Sequence, residues 1–185
     1  MRQGGGNPQA KSVDWWYRRA MSVETLIPVE EYLNTSYDPD VEYVDGVLVE
    51  RNVGDLLHSL VQSNIGHHMR RKYPHVYALP ELRSQTRSTR YRLPDITVLL
   101  SFPQTDYVLE AAFLAVEILS KSDSMTSVIE KLDEYTQKGV ANIWLIDPRL
   151  EKMFTFRSHN LQEVEDIIAT DNPRLELTRD EVFQK

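Results

Sequence analysis

Two acidic residues interrupt apolar segments that the sequence predicts to be buried β-strands. Asp95 opens the run 95–100, and Glu117 lies within the run 113–119. A buried carboxylate without a partner is costly, so each acid needs its own hydrogen-bonding partner or a cation shared with the other. One divalent metal would serve both acids. Lys131 follows, and two carboxylates with one ammonium are the set that metal-assisted phosphodiester hydrolysis requires.

The segment that contains Glu117 and Lys131 predicts a strand, a helix and a second strand. Residues 122–124 can cap a helix that ends at Gly139, and residues 143–148 form the next apolar run. The apolar stripe of the helix consists of Met125, Val128, Ile129, Leu132 and Tyr135. This order implies a crossover connection and a parallel pair, hence an α/β fold with a mixed β-sheet flanked by α-helices.

The rest of the chain predicts further elements of the same kind. A short helix is expected at 28–33, a hairpin around Asp45-Gly46, and an amphipathic helix at 55–72. Strands are expected at 76–79, at 81–92 and, as a hairpin partner of 143–148, at 152–157.

Length and composition limit the class of protein. The chain has 185 residues, enough for one domain, which we place at 21–185 behind a glycine-containing leader at 1–20 that we expect to be disordered. It has no cysteine, so a metal must be held by oxygen or imidazole. No apolar run approaches the roughly 20 residues of a membrane span, and no secretory signal is evident. We therefore expect a cytoplasmic protein without membrane contact.

Basic residues are concentrated in one part of an acidic chain. The net charge is −7, yet residues 70–92 contain seven bases and one acid. This stretch leads directly to Asp95, so it could guide a polyanion such as a nucleic acid to that site. The candidate nucleic-acid-binding residues are Arg83, Arg87, Arg90 and Arg92. The alternative is a solvated edge strand with alternating charges.

Other polar residues have two interpretations from spacing alone. Lys131 borders the apolar stripe, so it is either solvated, or paired with Glu130 or Glu134, or directed at the two carboxylates. His58 lies in the helix 55–72 and is either structural or a site residue, and Tyr135 packs in the core with its hydroxyl on a polar neighbour.

Several short motifs occur in a specific order. They are Glu42-Tyr43-Val44-Asp45-Gly46, His58, Arg92-Leu93-Pro94-Asp95, Val116-Glu117-Ile118-Leu119-Ser120, Lys131 with Tyr135, and Gly139-Val140 leading to Trp144-Leu145-Ile146-Asp147-Pro148. Together, over residues 23–156, they resemble the Uma2-like endonucleases of the PD-(D/E)XK nuclease superfamily.

The resemblance implies a restriction-endonuclease-like core in which Asp95 and Glu117 bind Mg²⁺ or Mn²⁺. The sequence departs from the superfamily pattern at one place: Leu119 stands two residues after Glu117, where a lysine is usual. The resemblance suggests that Lys131 supplies the ammonium instead, with Lys121 as the alternative. Glu42, as an outer metal or water ligand, and Glu81 are additional site residues that it suggests.

Two functions follow as hypotheses. The first is a metal-dependent endonuclease that cleaves DNA, and a homodimer would be the simplest way to cut both strands. The second is an inactive nuclease-fold module that binds nucleic acid or a protein partner, which Leu119 and the acidic net charge favour.

Overall fold

A computed structural model describes residues 26–52 and 54–185, which form four helices and twelve strands. The helices are α1 (Val29–Leu33), α2 (Leu56–Lys72), α3 (Met125–Lys138) and α4 (Arg179–Phe183). The strands are β1 (Val41–Val44), β2 (Val47–Glu50), β3 (Tyr77–Pro80), β4 (Ser84–Arg87), β5 (Arg90–Arg92), β6 (Ile96–Leu99), β7 (Leu114–Ile118), β8 (Asn142–Asp147), β9 (Lys152–Arg157), β10 (Asn160–Val164), β11 (Ile167–Ala169) and β12 (Glu176–Thr178). The predicted leader, 1–20, lies outside the described residues.

A six-stranded mixed sheet holds the centre of the fold. Its strand order is β10-β9-β8-β7-β6-β3, and β7 and β8 are parallel while the other neighbours are antiparallel. Helix α3 connects the parallel pair. The predicted α/β fold, with its strand, helix and strand around Glu117, is thereby confirmed.

Helices cover both faces of this sheet. On one face, Val61, Ile65 and Met69 of α2 belong to the same core cluster as Val116 of β7. On the other face, Leu132 of α3 belongs to a second cluster with residues of β7 and β8. All five residues of β7 are buried, as the continuous apolar run predicts for a central strand.

Local sequence fixes the ends of the two long helices. The side chain of Asp55 accepts hydrogen bonds from two backbone N–H groups in the first turn of α2, and the side chain of Ser124 accepts one, from Ser127, at the start of α3. Gly139 ends α3 with a φ of 92°, a left-handed conformation that glycine adopts without strain. The predicted stripe of α3 is wrong at Met125, the first residue of the helix, which is 48% exposed.

A second sheet, in the order β2-β1-β5-β4, contains the predicted hairpin at Asp45-Gly46. The predicted continuous strand 81–92 is wrong, because the chain turns at 88–89 and forms β4 and β5 as an antiparallel pair. The turn lets β5 pair with β1 on one side and β4 on the other, so its backbone groups find partners on both edges.

No helix within residues 26–52 and 54–185 is long and apolar enough to cross a membrane.

Candidate active site

Strand pairing brings Asp95 and Glu117 to the same end of the sheet. Ile96 pairs with Val116 in the antiparallel ladder of β6 and β7, so one step further along the register Asp95 lies opposite Glu117. Side chains opposite each other in such a pair share one face of the sheet, with Cβ atoms about 4.5–5.5 Å apart. The backbone N–H of Ile118 also donates to Oδ2 of Asp95 at 2.7 Å.

Helix α3 provides both polar partners of Glu117. The hydroxyl of Tyr135 donates to Oε1 at 2.5 Å, and Nζ of Lys131 donates to Oε2 at 3.2 Å. These two residues lie one helical turn apart, so they face β7 together. Of the three arrangements that the sequence allows for Lys131, the structure has the one in which it is directed at a carboxylate of the predicted pair, that of Glu117.

Burial and neighbouring charges set the protonation of this pair. Burial raises the pKa of Glu117 to about 7, Lys131 opposes that rise, and Asp95 and Glu42 reinforce it. Burial also favours the neutral amine of Lys131, but the carboxylates of Glu117 and Glu42 outweigh it and raise the pKa of this lysine. Lys131 is therefore an ammonium ion at neutral pH. The carboxyl group of Glu117, in contrast, has a pKa close to neutral pH.

Asp95 is held by two basic side chains. Its Oδ1 accepts a hydrogen bond from Nη2 of Arg51 at 2.7 Å and lies 3.3 Å from Nε2 of His58. Burial opposes protonation of the imidazole, but the hydrogen bond and charge of Asp95 raise the pKa of His58 overall. Glu81 reaches only the outer side of this group, because its half-exposed carboxylate pairs with Arg51 at 3.3 Å.

Glu42 connects the site to a second ionic cluster. Its Oε1 lies 3.0 Å from Nζ of Lys131, and its Oε2 accepts a hydrogen bond from Nη1 of Arg92 at 2.8 Å. Arg92 in turn donates to both carboxylate oxygens of Glu134 at 2.9 and 2.7 Å. Although burial disfavours its charge, Lys131 and Arg92 together lower the pKa of Glu42. Glu42 is thus an ionised group that holds the lysine in place.

Three of the four arginines predicted to bind nucleic acid contact carboxylates of the protein itself. Arg83 pairs with Asp40 at 2.6 Å, Arg90 pairs with Asp45 and Glu134, and Arg92 pairs with Glu42 and Glu134. The fourth, Arg87, donates to the side-chain amide of Gln137 at 2.5 Å. Their role in nucleic-acid binding stays a prediction.

Sequence reasoning missed Arg51 and Glu134. Arg51 follows strand β2 in a segment without periodicity, and only the tertiary fold places it against Asp95. For Glu134 the spacing suggested a different role, that of an ion-pair partner of Lys131, which lies three residues before it. The surrounding arginines instead lower the pKa of Glu134 to about 2, against an opposing effect of burial.

The two carboxylates and the lysine open onto a cleft of about 430 Å³. Glu42, Arg51 and His58 line this cleft, together with Ser120 and the first turn of α3. A cleft of this size can admit a small polar group such as a phosphate with water.

The donor set suits a hard divalent cation. A carboxylate offers about four lone-pair positions, two on each oxygen. One hydrogen bond on Oδ2 of Asp95 and one on each carboxylate oxygen of Glu117 leave a lone pair free at all three atoms. No group of three or more histidine, aspartate or glutamate side chains in the described part of the chain is arranged to hold a metal. Mg²⁺ commonly binds proteins through only one or two carboxylates, with water and substrate phosphate as the other ligands.

Comparisons with known proteins identify the family and the fold of this chain. A family model described as "Uma2: Putative restriction endonuclease" matches residues 29–183. Among solved structures, the fold resembles "a putative nuclease belonging to DUF820" from Anabaena variabilis, with a TM-score of 0.73 and 23% sequence identity, over 85% of this chain and 97% of that one. A search of curated proteins found no match. The α/β fold is shared with that solved structure, and the family match over most of the chain shows that this protein belongs to the Uma2 family.

Proposed function

We propose that this protein is an endonuclease that hydrolyses DNA phosphodiester bonds with Mg²⁺ or Mn²⁺ held by Asp95 and Glu117. One observation carries the proposal: two carboxylates opposite each other at the end of a strand pair open onto a cleft, with the ammonium of Lys131 3.2 Å from one of them. A bound divalent metal would supply Lewis acidity and lower the pKa of a water molecule.

The residues of the chain have distinct parts in this proposal. Lys131 supplies a fixed positive charge for the negative charge that develops on the phosphate during attack. Glu42 and Tyr135 position this centre, the first by holding Lys131 and the second by holding Glu117. Arg51 and His58 fix Oδ1 of Asp95, which leaves Oδ2 directed toward the end of β7.

Plasmid cleavage with isosteric variants tests the proposal. We expect the wild type to nick or linearise supercoiled DNA with Mn²⁺ or Mg²⁺ and to stop when the metal is chelated. Asp95→Asn and Glu117→Gln keep the shape of each side chain and remove its charge, so cleavage should fall about 100-fold or more. The control is Glu165→Gln, an exposed glutamate outside the cleft, which should cleave like the wild type.

Circular dichroism of the same variants must show a folded protein for the result to bear on catalysis. Cleavage at the wild-type rate by folded Asp95→Asn or Glu117→Gln would contradict the metal assignment. Linear product formed directly from supercoiled plasmid would favour two sites acting together, as expected of a homodimer.

A second candidate function is a module that binds nucleic acid or a protein partner without catalysis. The observation that favours it is Leu119, which is buried in the apolar cluster under α3 and supplies no charge to the cleft. This function predicts DNA binding that chelation does not change. A thermal shift with Mn²⁺ discriminates the two, because a ligand that binds only the folded state raises the melting temperature.

A further inference from the structure

The basic stretch that the sequence places between residues 70 and 92 divides into two groups in the fold. Arg83, Arg90 and Arg92 contact carboxylates, as described above. Arg70 and Arg71, at the end of α2, are exposed, and their side chains make no hydrogen bond or ion pair within residues 26–52 and 54–185. The next residue, Lys72, pairs with Glu181 at 3.1 Å.

Arg70 and Arg71 lie at one end of a groove of about 670 Å³ between α2 and β3. The wall that α2 contributes consists of residues spaced three and four apart, which therefore share one face of the helix. They are Ser59, Gln62, Ser63, Gly66, His67 and Arg70. The floor is apolar, and no described residue that lines the groove is acidic.

Gly66 leaves the middle of this groove open. A Cβ atom at this position would have no other atom within 4 Å, so no part of the described chain packs against the helix there. Glycine in a helix interior is unfavourable because it gains no side-chain contact and loses backbone freedom. The open position lets a bulky ligand approach the helix closely.

The other end of the groove borders the candidate active site. Nε2 of Gln62 donates to the backbone carbonyl of Asp95 at 2.9 Å, and Ile96, the residue after Asp95, lines the groove. From Ser59 to Arg70 a helix rises about 16 Å at 1.5 Å per residue. One strand of a DNA duplex advances about 3.4 Å per phosphate, so this distance spans about five nucleotides.

We propose that this groove binds the phosphodiester backbone of a DNA strand and leads it to Asp95. The inference rests on the proposed function and names where its substrate lies. The net charge of −7 repels a polyanion as a whole, so attraction must come from a local surface without acids. The guanidinium groups of Arg70 and Arg71 and the hydroxyls of Ser59 and Ser63 are the donors that commonly contact phosphate oxygens.

Fluorescence anisotropy with labelled DNA tests this placement. The probes are a 20-base-pair duplex and a 20-nucleotide single strand of the same sequence, titrated in EDTA so that no cleavage occurs. For the Arg70→Ala/Arg71→Ala variant, we expect affinity about tenfold weaker at 50 mM salt, and a slope of log K against log salt shallower by about 2 for a duplex. The probe with the larger loss identifies the form of DNA that the groove accepts.

Two controls separate this site from total charge and from folding. Lys152→Ala/Arg157→Ala removes the same charge from β9, which lies four strands from β3 in the sheet, and should bind like the wild type. Gly66→Glu and Gly66→Gln place side chains of equal size in the groove and differ only in charge. We expect the glutamate variant to bind more weakly than the glutamine variant, with both folded.

Each outcome decides the inference. The inference is overturned if the Arg70→Ala/Arg71→Ala variant has the affinity and salt slope of the wild type. It is also overturned if the wild-type protein binds neither the duplex nor the single strand. If the wild type cleaves plasmid and this variant cleaves equally well, the groove is wrong and the proposed function stands. If binding depends on Arg70 and Arg71 while the wild type never cleaves with Mn²⁺, the groove stands and the proposed function fails.

Discussion

Nζ of Lys131 lies 3.2 Å from Oε2 of Glu117, so the ammonium beside this carboxylate comes from helix α3 and not from strand β7. The superfamily resemblance leads one to expect a lysine at position 119. The side chain of Leu119 instead packs with Val128 and Leu132 in the apolar cluster between α3 and the sheet. The ammonium is therefore on α3, at Lys131, while position 119, just after β7, contributes only apolar packing.

Lys131→Met should destabilise the protein and abolish cleavage. The variant leaves Glu42 and Glu117 buried together without their shared cation, a loss of roughly 3–5 kcal/mol for a broken buried ion pair. Urea unfolding at pH 8 should show a larger loss than at pH 5, because at pH 5 protonation of Glu117 relieves the repulsion.

Lys121→Met is the control for that variant. Lys121 is 75% exposed, and its ion pair with Asp55 is long, at 3.7 Å. It should retain stability and cleavage. Loss of cleavage with Lys121→Met, and retention with Lys131→Met, would assign the catalytic lysine to position 121.

Leu119→Lys should not rescue the Lys131→Met variant. Leu119 does not line the cleft, although its neighbours Ile118 and Ser120 do. A lysine at this position would bury an ammonium among apolar side chains, which costs several kcal/mol. We expect the double variant to unfold at lower urea than Lys131→Met and to remain inactive. Restored cleavage would show that position 119 can reach the carboxylates after local rearrangement.

Mn²⁺ affinity should fall as the pH drops below 7. Burial raises the pKa of Glu117 from its ordinary 4.5 to about 7, so without metal its contribution to stability is complete below pH 4.5 and is lost as the pH rises through 7. A bound cation requires the ionised carboxylate, so the apparent Kd should rise about tenfold per pH unit below 7. Titration calorimetry at pH 6, 7 and 8 measures this dependence. A Glu117→Gln protein should lack it, and a Kd independent of pH in the wild type would exclude Glu117 as a ligand.

Glu134→Gln should destabilise the protein and weaken cleavage, although Glu134 does not line the cleft. Glu134 accepts hydrogen bonds from Arg90, Arg92 and Thr86, so the variant leaves charged donors partly unmatched, at a cost of roughly 3–5 kcal/mol. The pKa of Glu134 is lowered to about 2, so its contribution is present above pH 4.5 and is lost as the pH falls through 2.

The difference in free energy of unfolding between wild type and Glu134→Gln should therefore shrink between pH 4.5 and 2. Glu165→Gln is the matched control and should change neither stability nor its acid dependence. If Glu134→Gln lowers kcat by a factor similar to that of Glu42→Gln, the series of ion pairs from Glu134 through Arg92 and Glu42 positions Lys131. An unchanged kcat would limit Glu134 to a structural role.

Local sequence signals were sufficient for the elements that carry the site. Continuous apolar runs predicted β6, β7 and β8, and the serine cap with the terminal glycine predicted α3. The same signals failed at 81–92, where a turn of Ser88 and Thr89 carries no glycine or proline. The C-terminal strands β10, β11 and β12 and helix α4 were not predicted, because three- to five-residue elements contain too few apolar positions to show a period.

The partners of the charged residues could be predicted only in part. Asp95, Glu117 and Lys131 stood out because acids in apolar strands are costly and need a cation. The contact of Arg51 with Asp95 spans 44 residues, and that of Arg92 with Glu134 spans 42. Such contacts depend on how β1, β5 and α3 meet, which no local pattern specifies. The basic stretch 70–92 therefore suggested one nucleic-acid surface, where the fold shows two groups of arginines in different surroundings.

The origin of the ammonium on α3 makes the site sensitive to how firmly that helix is docked. Asp95 and Glu117 are joined by a strand ladder, whereas Lys131 and Tyr135 reach Glu117 only while α3 stays on the sheet. Partial detachment of the helix, with the sheet still paired, would remove the lysine and leave both acids in place. Hydrogen exchange in α3 would then report how long Lys131 and Tyr135 stay in contact with Glu117.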